Sequence, residues 1–371
     1  MRQANRRFLM VGGTLLLIMA LALSLGIAGC GEESTETTAA PVDTAASDAA
    51  GGDEGTATED VLIGYAAMQL TDPFQVAEQS MILAEAERLG IEYLEPTNAN
   101  GDSAKQVTDV RTLVDQGVTG LVVIPWDAKA IVPAVEYAVG EGVPVVTADT
   151  TADGGGVYCS VLADNILMGE AAAEEIGRVL GGTGKVLEIQ GELTQSAGRD
   201  RTLGFETVMA EKFPDIEVIA KPGEWKADVG TAAIQTALTA DPDIDAIFIQ
   251  SDAVYLPGLL SVLASKGLDA KVGEPGHIYV ISIDGTPAGL DALRADQIDA
   301  VISQPLDMYA KYCIQYLLDA LAGKEIVLGP TDHGSEIVLS AGGVPEDHLP
   351  SPVITKATVE DPNLWGNVAA Q

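Results

Sequence analysis

The sequence predicts an α/β fold of two lobes, each a doubly wound parallel sheet, on three observations. Short apolar runs such as Val61-Leu-Ile-Gly-Tyr-Ala66 and Leu121-Val-Val-Ile124 carry no polar alternation, so both of their faces are buried, as in a parallel sheet covered on both sides. Helical stretches separate them with little interruption, several closed by glycines such as Gly90, Gly117 and Gly140. The alternation pauses once, near Ala163-Asp-Asn165, and then resumes, which suits two domains of ordinary α/β size. With 371 residues, 47% of them hydrophobic, the chain can bury one large core or two medium ones.

The ends are different. Arg2, Arg6 and Arg7 form a basic head, and the apolar run from Phe8 to Ala28 closes on Ile27-Ala28-Gly29-Cys30. That pattern is a secretory signal peptide over residues 1–29. A cysteine directly after small residues resembles the lipobox of bacterial lipoproteins, which implies cleavage before Cys30 and lipid attachment to its thiol. The competing reading is an uncleaved membrane helix. Residues 30–60 hold many Asp and Glu among Ala, Thr, Ser and Gly and, beyond Cys30, no basic side chain, so a disordered acidic tether is expected. Formal charge is −35, from 20 Lys+Arg against 55 Asp+Glu, which disfavours nucleic acid and anionic membrane surfaces as partners. Cys159 and Cys313 fall on a strand and a helix, and two buried free thiols are expected.

In the body, strands are expected at Val61–Ala66, Ile91–Leu94, Leu121–Ile124 and Val143–Thr147, and at an isolated Gly156–Val161. Further strands follow at Val186–Ile189, Glu217–Ala220, Ala246–Ile249, Ile278–Ile283 and Ala300–Ser303. Helices are expected at Phe74–Leu89, Ala104–Asp115, Ala128–Val139 and Leu167–Leu180. They continue at Arg201–Phe213, Val229–Ala240, Leu256–Lys266 and Met308–Leu321.

Ligands of such sheets bind beyond the carboxyl ends of the strands. The residues placed there are polar or aromatic: Asp72, Phe74 and Gln75; Trp126 and Asp127; Asp149 and Thr150; Arg199 and Arg201. Glu224 and Trp225, Ser251 and Asp252, Asp284 and Gln304 complete the series. Only 5% of the chain is aromatic, so three rings at strand ends are a selective placement. Carboxylates, amides and a guanidinium around flat rings suit a polyol, whose hydroxyls donate and accept while its C–H faces stack. Taken singly, an Asp here can be a helix N-cap, a reading that weighs equally with ligand contact for Asp127 and Asp252. Asp149 and Asp284, each ending a strongly apolar strand, point instead to ligand contact, and the two arginines alone read as surface ion pairs.

Several motifs fail. Gly181-Gly-Thr-Gly-Lys185 has Val186 where a phosphate loop needs Ser or Thr. Asp241-Pro-Asp-Ile-Asp245 lacks the glycine of a calcium loop. His277, His333 and His348 are scattered, so no metal site and no cofactor is expected. No G-x-S-x-G elbow occurs, and a carboxylate pair such as Asp149 and Asp284 could in principle act on a glycosidic bond.

The segments Thr71-Asp-Pro-Phe74, Val145-Val-Thr-Ala-Asp149, Ala163-Asp-Asn165, Ser196-Ala-Gly-Arg-Asp-Arg201, Ile244-Asp-Ala-Ile-Phe-Ile-Gln250, Asp284-Gly-Thr-Pro287 and Gln304 occur in one order along the body. From Val61 to about Thr355 the chain resembles the type I periplasmic sugar-binding proteins of ABC transporters, most closely the ribose-binding group. The resemblance implies two lobes, residues 61–163 with about 305–348 and residues 164–304 with about 349–371, joined by a three-segment hinge near Asp164, Gln304 and Leu349. Phe74 and Trp225 correspond to rings that sandwich a sugar, Asp149 to a first-lobe carboxylate and Arg201 to the second-lobe arginine. Asp284 and Gln304 match a carboxylate and an amide, whereas Arg199 takes a supporting place. Asp72, Thr150 and Ser251 depart from the ribose pattern, which has asparagine, arginine and asparagine there, and Trp126 adds bulk. The implied function is capture of a monosaccharide or small polyol by hinge closure and delivery to an ABC permease, by a monomer that is not an enzyme. A sensory receptor of the same fold is the alternative.

Overall fold

The computed structural model describes residues 60–368. The signal peptide, Cys30 and nearly all of the expected tether lie outside the described residues. In chain order the first elements are β1 (Leu62–Ala67), α1 (Pro73–Arg88), β2 (Glu92–Tyr93), β3 (Thr97–Asn98) and α2 (Ser103–Asp115). There follow β4 (Gly120–Val123), α3 (Val132–Gly140), β5 (Val145–Ala148) and β6 (Cys159–Ala163). A second run holds α4 (Asn165–Leu180), β7 (Gly184–Gln190), α5 (Ser196–Lys212), β8 (Ile216–Pro222) and α6 (Ala227–Ala240). It continues with β9 (Ala246–Ile249), α7 (Asp252–Lys266), β10 (Tyr279–Asp284), α8 (Pro287–Arg294) and β11 (Ala300–Ser303). The chain closes with α9 (Leu306–Leu321), β12 (Gly329–Pro330), β13 (Glu336–Leu339), β14 (Pro345–Leu349), β15 (Val353–Thr355) and α10 (Trp365–Val368).

Two sheets result. The first runs β12-β13-β14-β6-β5-β4-β1-β2, with β3 also paired to β1, and the second runs β15-β11-β10-β9-β7-β8. The backbone passes between them three times, after Ala163, after Ser303 and after Leu349. Most pairings are parallel, as the unbroken apolar strands require. Strand β4 shows why: Leu121 and Val123 enter the core under α2 and α3, whereas Val122 joins the core under α1 and α9. Alternate side chains thus bury both faces.

The edges differ from expectation. Pairs β12–β13, β13–β14 and β15–β11 are antiparallel. These strands are short and partly polar (β14 reads Pro345-Glu-Asp-His-Leu349), so they lack the apolar signal that marks the interior. The strand expected to stand isolated instead sits in the middle of the first sheet, between β5 and β14. Helix α3 begins at Val132, later than expected, because Asp127 Oδ1 accepts the amides of Lys129 and Ala130 and holds that segment as a turn. Cys159 and Cys313 are both buried free thiols.

Candidate functional site

The carboxyl ends of β1 and β5 face those of β7, β8, β9, β10 and β11 across a small cavity of about 30 Å3. Its walls carry Asp72, Phe74, Gln75, Asp149, Arg201, Trp225, Ser251, Asp284 and Gln304, together with Met68, Gln69, Gln195, Ala197 and Val254.

Each polar group has a local reason for its position. Asp72 caps α1, its Oδ1 accepting the Gln75 amide at 2.9 Å, with Pro73 at the first helical position. Gln75 then donates to Asp149 Oδ2 at 3.1 Å. Ser251 caps α7 by accepting the Val254 amide and donates its own proton to Asp284 Oδ2 at 2.6 Å. Gln304 Nε2 donates to Asp284 Oδ1 at 3.0 Å, and its Oε1 accepts from the Tyr309 hydroxyl. Arg201 donates to Asn165 Oδ1 and to the Gln250 carbonyl, and its guanidinium lies 5.7 Å from the Trp225 ring. The Trp225 indole lies over Gly191, where a Cβ would meet the ring at 2.0 Å, and its Nε1 donates to Gln195 Oε1.

The backbone is strained where the site is. Six described non-glycine residues have positive φ, and three of them, Asp149 (59°), Trp225 (50°) and Asp284 (113°), line the cavity. Such conformations cost free energy and concentrate at functional positions. Burial pushes the Asp72 carboxyl up to about 6 and that of Asp149 up to about 7, the latter although Arg201 pulls it down. Asp284 is raised by the same desolvation and likewise held back by Arg201. Behind the wall, Glu78 is fully buried, and burial, with the nearby Asp149 and Asp72 carboxylates, raises it well above the usual carboxylate range.

Two expected residues are not at the cavity. Thr150 turns its hydroxyl to the Pro125 carbonyl at 2.9 Å, so its proton closes a loop, and it is not among the residues lining the cavity. Trp126 packs its indole against Gly101 while its amide donates to Gln106 Oε1, which puts the ring in the first-sheet core. Arg199 pairs with Asp200 at 2.8 Å and with Asp153 at 3.4 Å, away from the cavity. Asp252 lies beneath it, accepting the amides of Gly285 and Thr286 and so fixing the turn after β10.

Sequence reasoning missed two supports. Gln195 reaches the Pro125 carbonyl, and with Thr194–Ala128 and Ser196–Thr151 it ties the turn after β7 to the first sheet's loops. Trp365, from the C-terminal segment, donates to the Asp284 carbonyl at 2.9 Å and meets the Phe74 ring edge-on at 5.8 Å. An isolated Trp in a proline-flanked tail gives no periodic signal; the likeness of Asn363-Leu-Trp-Gly-Asn367 to the tail of related sugar-binding lipoproteins marks the segment but assigns Trp365 no role.

Residues 63–325 match the family described as periplasmic binding protein domain. The chain belongs to that family. Among relatives of this periplasmic binding protein chain, ribose import binding protein RbsB of Bacillus subtilis is 34% identical over 265 residues, 71% of this chain and 83% of the relative. RbsB of Escherichia coli is 32% identical over 259 residues, 69% and 83% of the two chains. A solved ABC transporter solute binding protein of Mycobacterium smegmatis, with bound glycerol, superposes with a TM-score of 0.70 at 26% identity, over 81% of this chain and 95% of that one. The two-sheet arrangement is therefore the family fold, with the cavity between its sheets.

Proposed function

We propose that this chain is the solute-binding lipoprotein of an ABC importer, acting outside the cytoplasm and capturing a monosaccharide or similar small polyol. The observation that carries the reading is the cavity itself: two aromatic rings, Phe74 and Trp225, with carboxylates, amides and one guanidinium between two sheets. Similarity to ribose import binding proteins supports it. Asp72, Phe74, Gln75 and Asp149 would meet the ligand from the first sheet, and Arg201, Trp225, Ser251 and Asp284 from the second, with Gln304 at a crossing. Hinge motion about the three crossings would close these walls on the ligand and exclude water, which strengthens each polar contact. The chain binds its ligand and leaves it unchanged, for release to a membrane permease; Cys30 would hold it at the membrane.

A panel of sugars and polyols titrated into the purified soluble body, read by calorimetry and melting temperature, tests this. A binder is expected to raise the melting temperature, and Asp149→Ala or Arg201→Ala to remove that rise. A ligand whose shift survives both changes would place its site elsewhere.

A further inference from the structure

The charge of the cavity wall is unbalanced. Asp72, Asp149 and Asp284 all line it, and each is less than a tenth exposed. Arg201 is the one cation among the lining residues, and it stands nearest Asp284, with Nη1 4.0 Å from Oδ1. The first-sheet wall, with Asp72 and Asp149, has no basic side chain of its own, and Thr150 beside it contributes a hydroxyl turned to Pro125. Asp149 is 4% exposed and its Oδ1 has no hydrogen-bond partner. Two further buried carboxyls, Glu78 and Asp252, stand behind the wall. Burial holds both well above the usual carboxylate range, so they favour their neutral forms and bring no cation to the wall, where uncompensated charge in so dry a place is costly.

A cavity of this kind is neutralised by taking up protons or by a cation in the ligand. Around pH 7 protons alone leave it incomplete, because Asp72 is raised only to about 6. Neutral hydroxyls would satisfy acceptors but would leave the excess negative charge in place. We propose that the ligand is a polyhydroxylated amine, its ammonium group held by Asp72 and Asp149 and its hydroxyls by Asp284, Gln304 and Arg201. This rests on the reading of the cavity as a sugar or polyol site. The ammonium would donate to Asp149 Oδ1 and to an oxygen of Asp72, the latter anchored at the head of α1 by the Gln75 amide. Phe74 and Trp225 would cover the carbon skeleton.

The test uses matched pairs on the soluble body at pH 7: glucose with 2-amino-2-deoxyglucose, galactose with its 2-amino analogue, myo-inositol with an amino-deoxy-inositol, and glucitol with 1-amino-1-deoxyglucitol. In at least one pair calorimetry should find the amine bound about tenfold or more tighter than its neutral partner, the scale of a charge-assisted contact in a dry site. Asparagine caps a helix as well as aspartate does, so Asp72→Asn removes the charge and leaves α1 intact. That variant should cut the preference for the amine by a similar factor, and Asp149→Asn should do the same. Neutral members binding as tightly as their amines, or tighter, would overturn the amine inference and leave sugar capture standing. An amine preference unchanged in both variants would overturn the assignment to these carboxylates. No binding by any member would overturn both readings together.

Discussion

Arg201 Nη1 lies 4.0 Å from Asp284 Oδ1, with both side chains almost wholly buried, which is too long for a hydrogen bond. Each member is held by other partners: Arg201 by Asn165 and the Gln250 carbonyl, Asp284 by Ser251 and Gln304. The two charges are thus aimed at the same space without neutralising each other by direct contact.

A ligand that bonds to both should depend on each. Arg201→Ala or Asp284→Ala is expected to cost about 1.5–3 kcal/mol of binding for each charged hydrogen bond lost. That is roughly a ten- to hundredfold rise in Kd by calorimetry. Arg201→Lys should recover little, since an ammonium lacks the fork that serves Asn165, Gln250 and a ligand at once.

Asp149 and Asp72 make the empty protein more stable in acid. Their carboxyls are pushed above the unfolded value near 3.8, to about 7 and about 6, so the folded state binds more protons than the unfolded state between those limits. Their contribution is present below about pH 4 and is lost as pH rises through 6 and 7. Without ligand, the melting temperature should therefore climb as pH falls from 8 toward 5. Asp149→Asn should flatten that climb, because an amide has no proton to lose and no charge to bury above pH 7. Calorimetric unfolding at several pH values checks both. A flat profile would mean these groups do not hold their protons in the fold.

The approach of α4 and α5 positions Arg201. A Cβ on Gly169 would stand 2.1 Å from the Arg201 carbonyl oxygen, and one on Gly204 would stand 2.1 Å from that of Ile166. Gly204→Ala forces these backbones apart, an overpacking expected to cost about 1–3 kcal/mol or more. Melting temperature and affinity should fall together, whereas Gly182→Ala, in open space at a positive-φ turn, should lower only the melting temperature.

Trp365 braces Asp284 from behind, with 3% of its surface exposed. Trp365→Ala is expected to destabilise by about 3–5 kcal/mol, as large aromatic deletions do. Trp365→Phe keeps most of the ring and loses one hydrogen bond, about 1 kcal/mol. Titration of the phenylalanine variant should show weakened binding at nearly unchanged folding, because the Asp284 carbonyl, left to the Gln304 amide, loses one of the two hydrogen bonds that hold this positive-φ residue. Unchanged affinity in that variant would leave Trp365 as packing alone.

Phe74, Arg201, Trp225 and Asp284 were legible as candidates because each follows an apolar run that marks a strand end, and the topology then gathers strand ends. The same rule misled for Trp126 and Thr150. It locates a residue near the rim but says nothing of which way the side chain turns: the Pro125 carbonyl takes the Thr150 hydroxyl, and the Trp126 indole packs against Gly101. Gln195 and Met68 sit in turns, where no periodic pattern exposes a role. The antiparallel edge strands and the Trp365 brace depend on contacts made by a tail with no amphipathic repeat. Interior architecture was readable, and its fastenings were not.

The three passages between the sheets also set an order of assembly. Strands β7 to β11 lie in one unbroken stretch, Gly184–Ser303, and that sheet lacks only the edge strand β15. The first sheet instead waits for β14, which pairs with β6 only after the whole intervening sheet has been synthesised. Contacts so distant along the chain close slowly, and domains emerging from the ribosome fold as they become complete. The later-encoded sheet should therefore mature first, with β6 left as an open edge until residues 345–349 arrive. Until then β6 offers an unpaired edge, which makes the half-built first sheet the part of the protein most open to strand-to-strand aggregation.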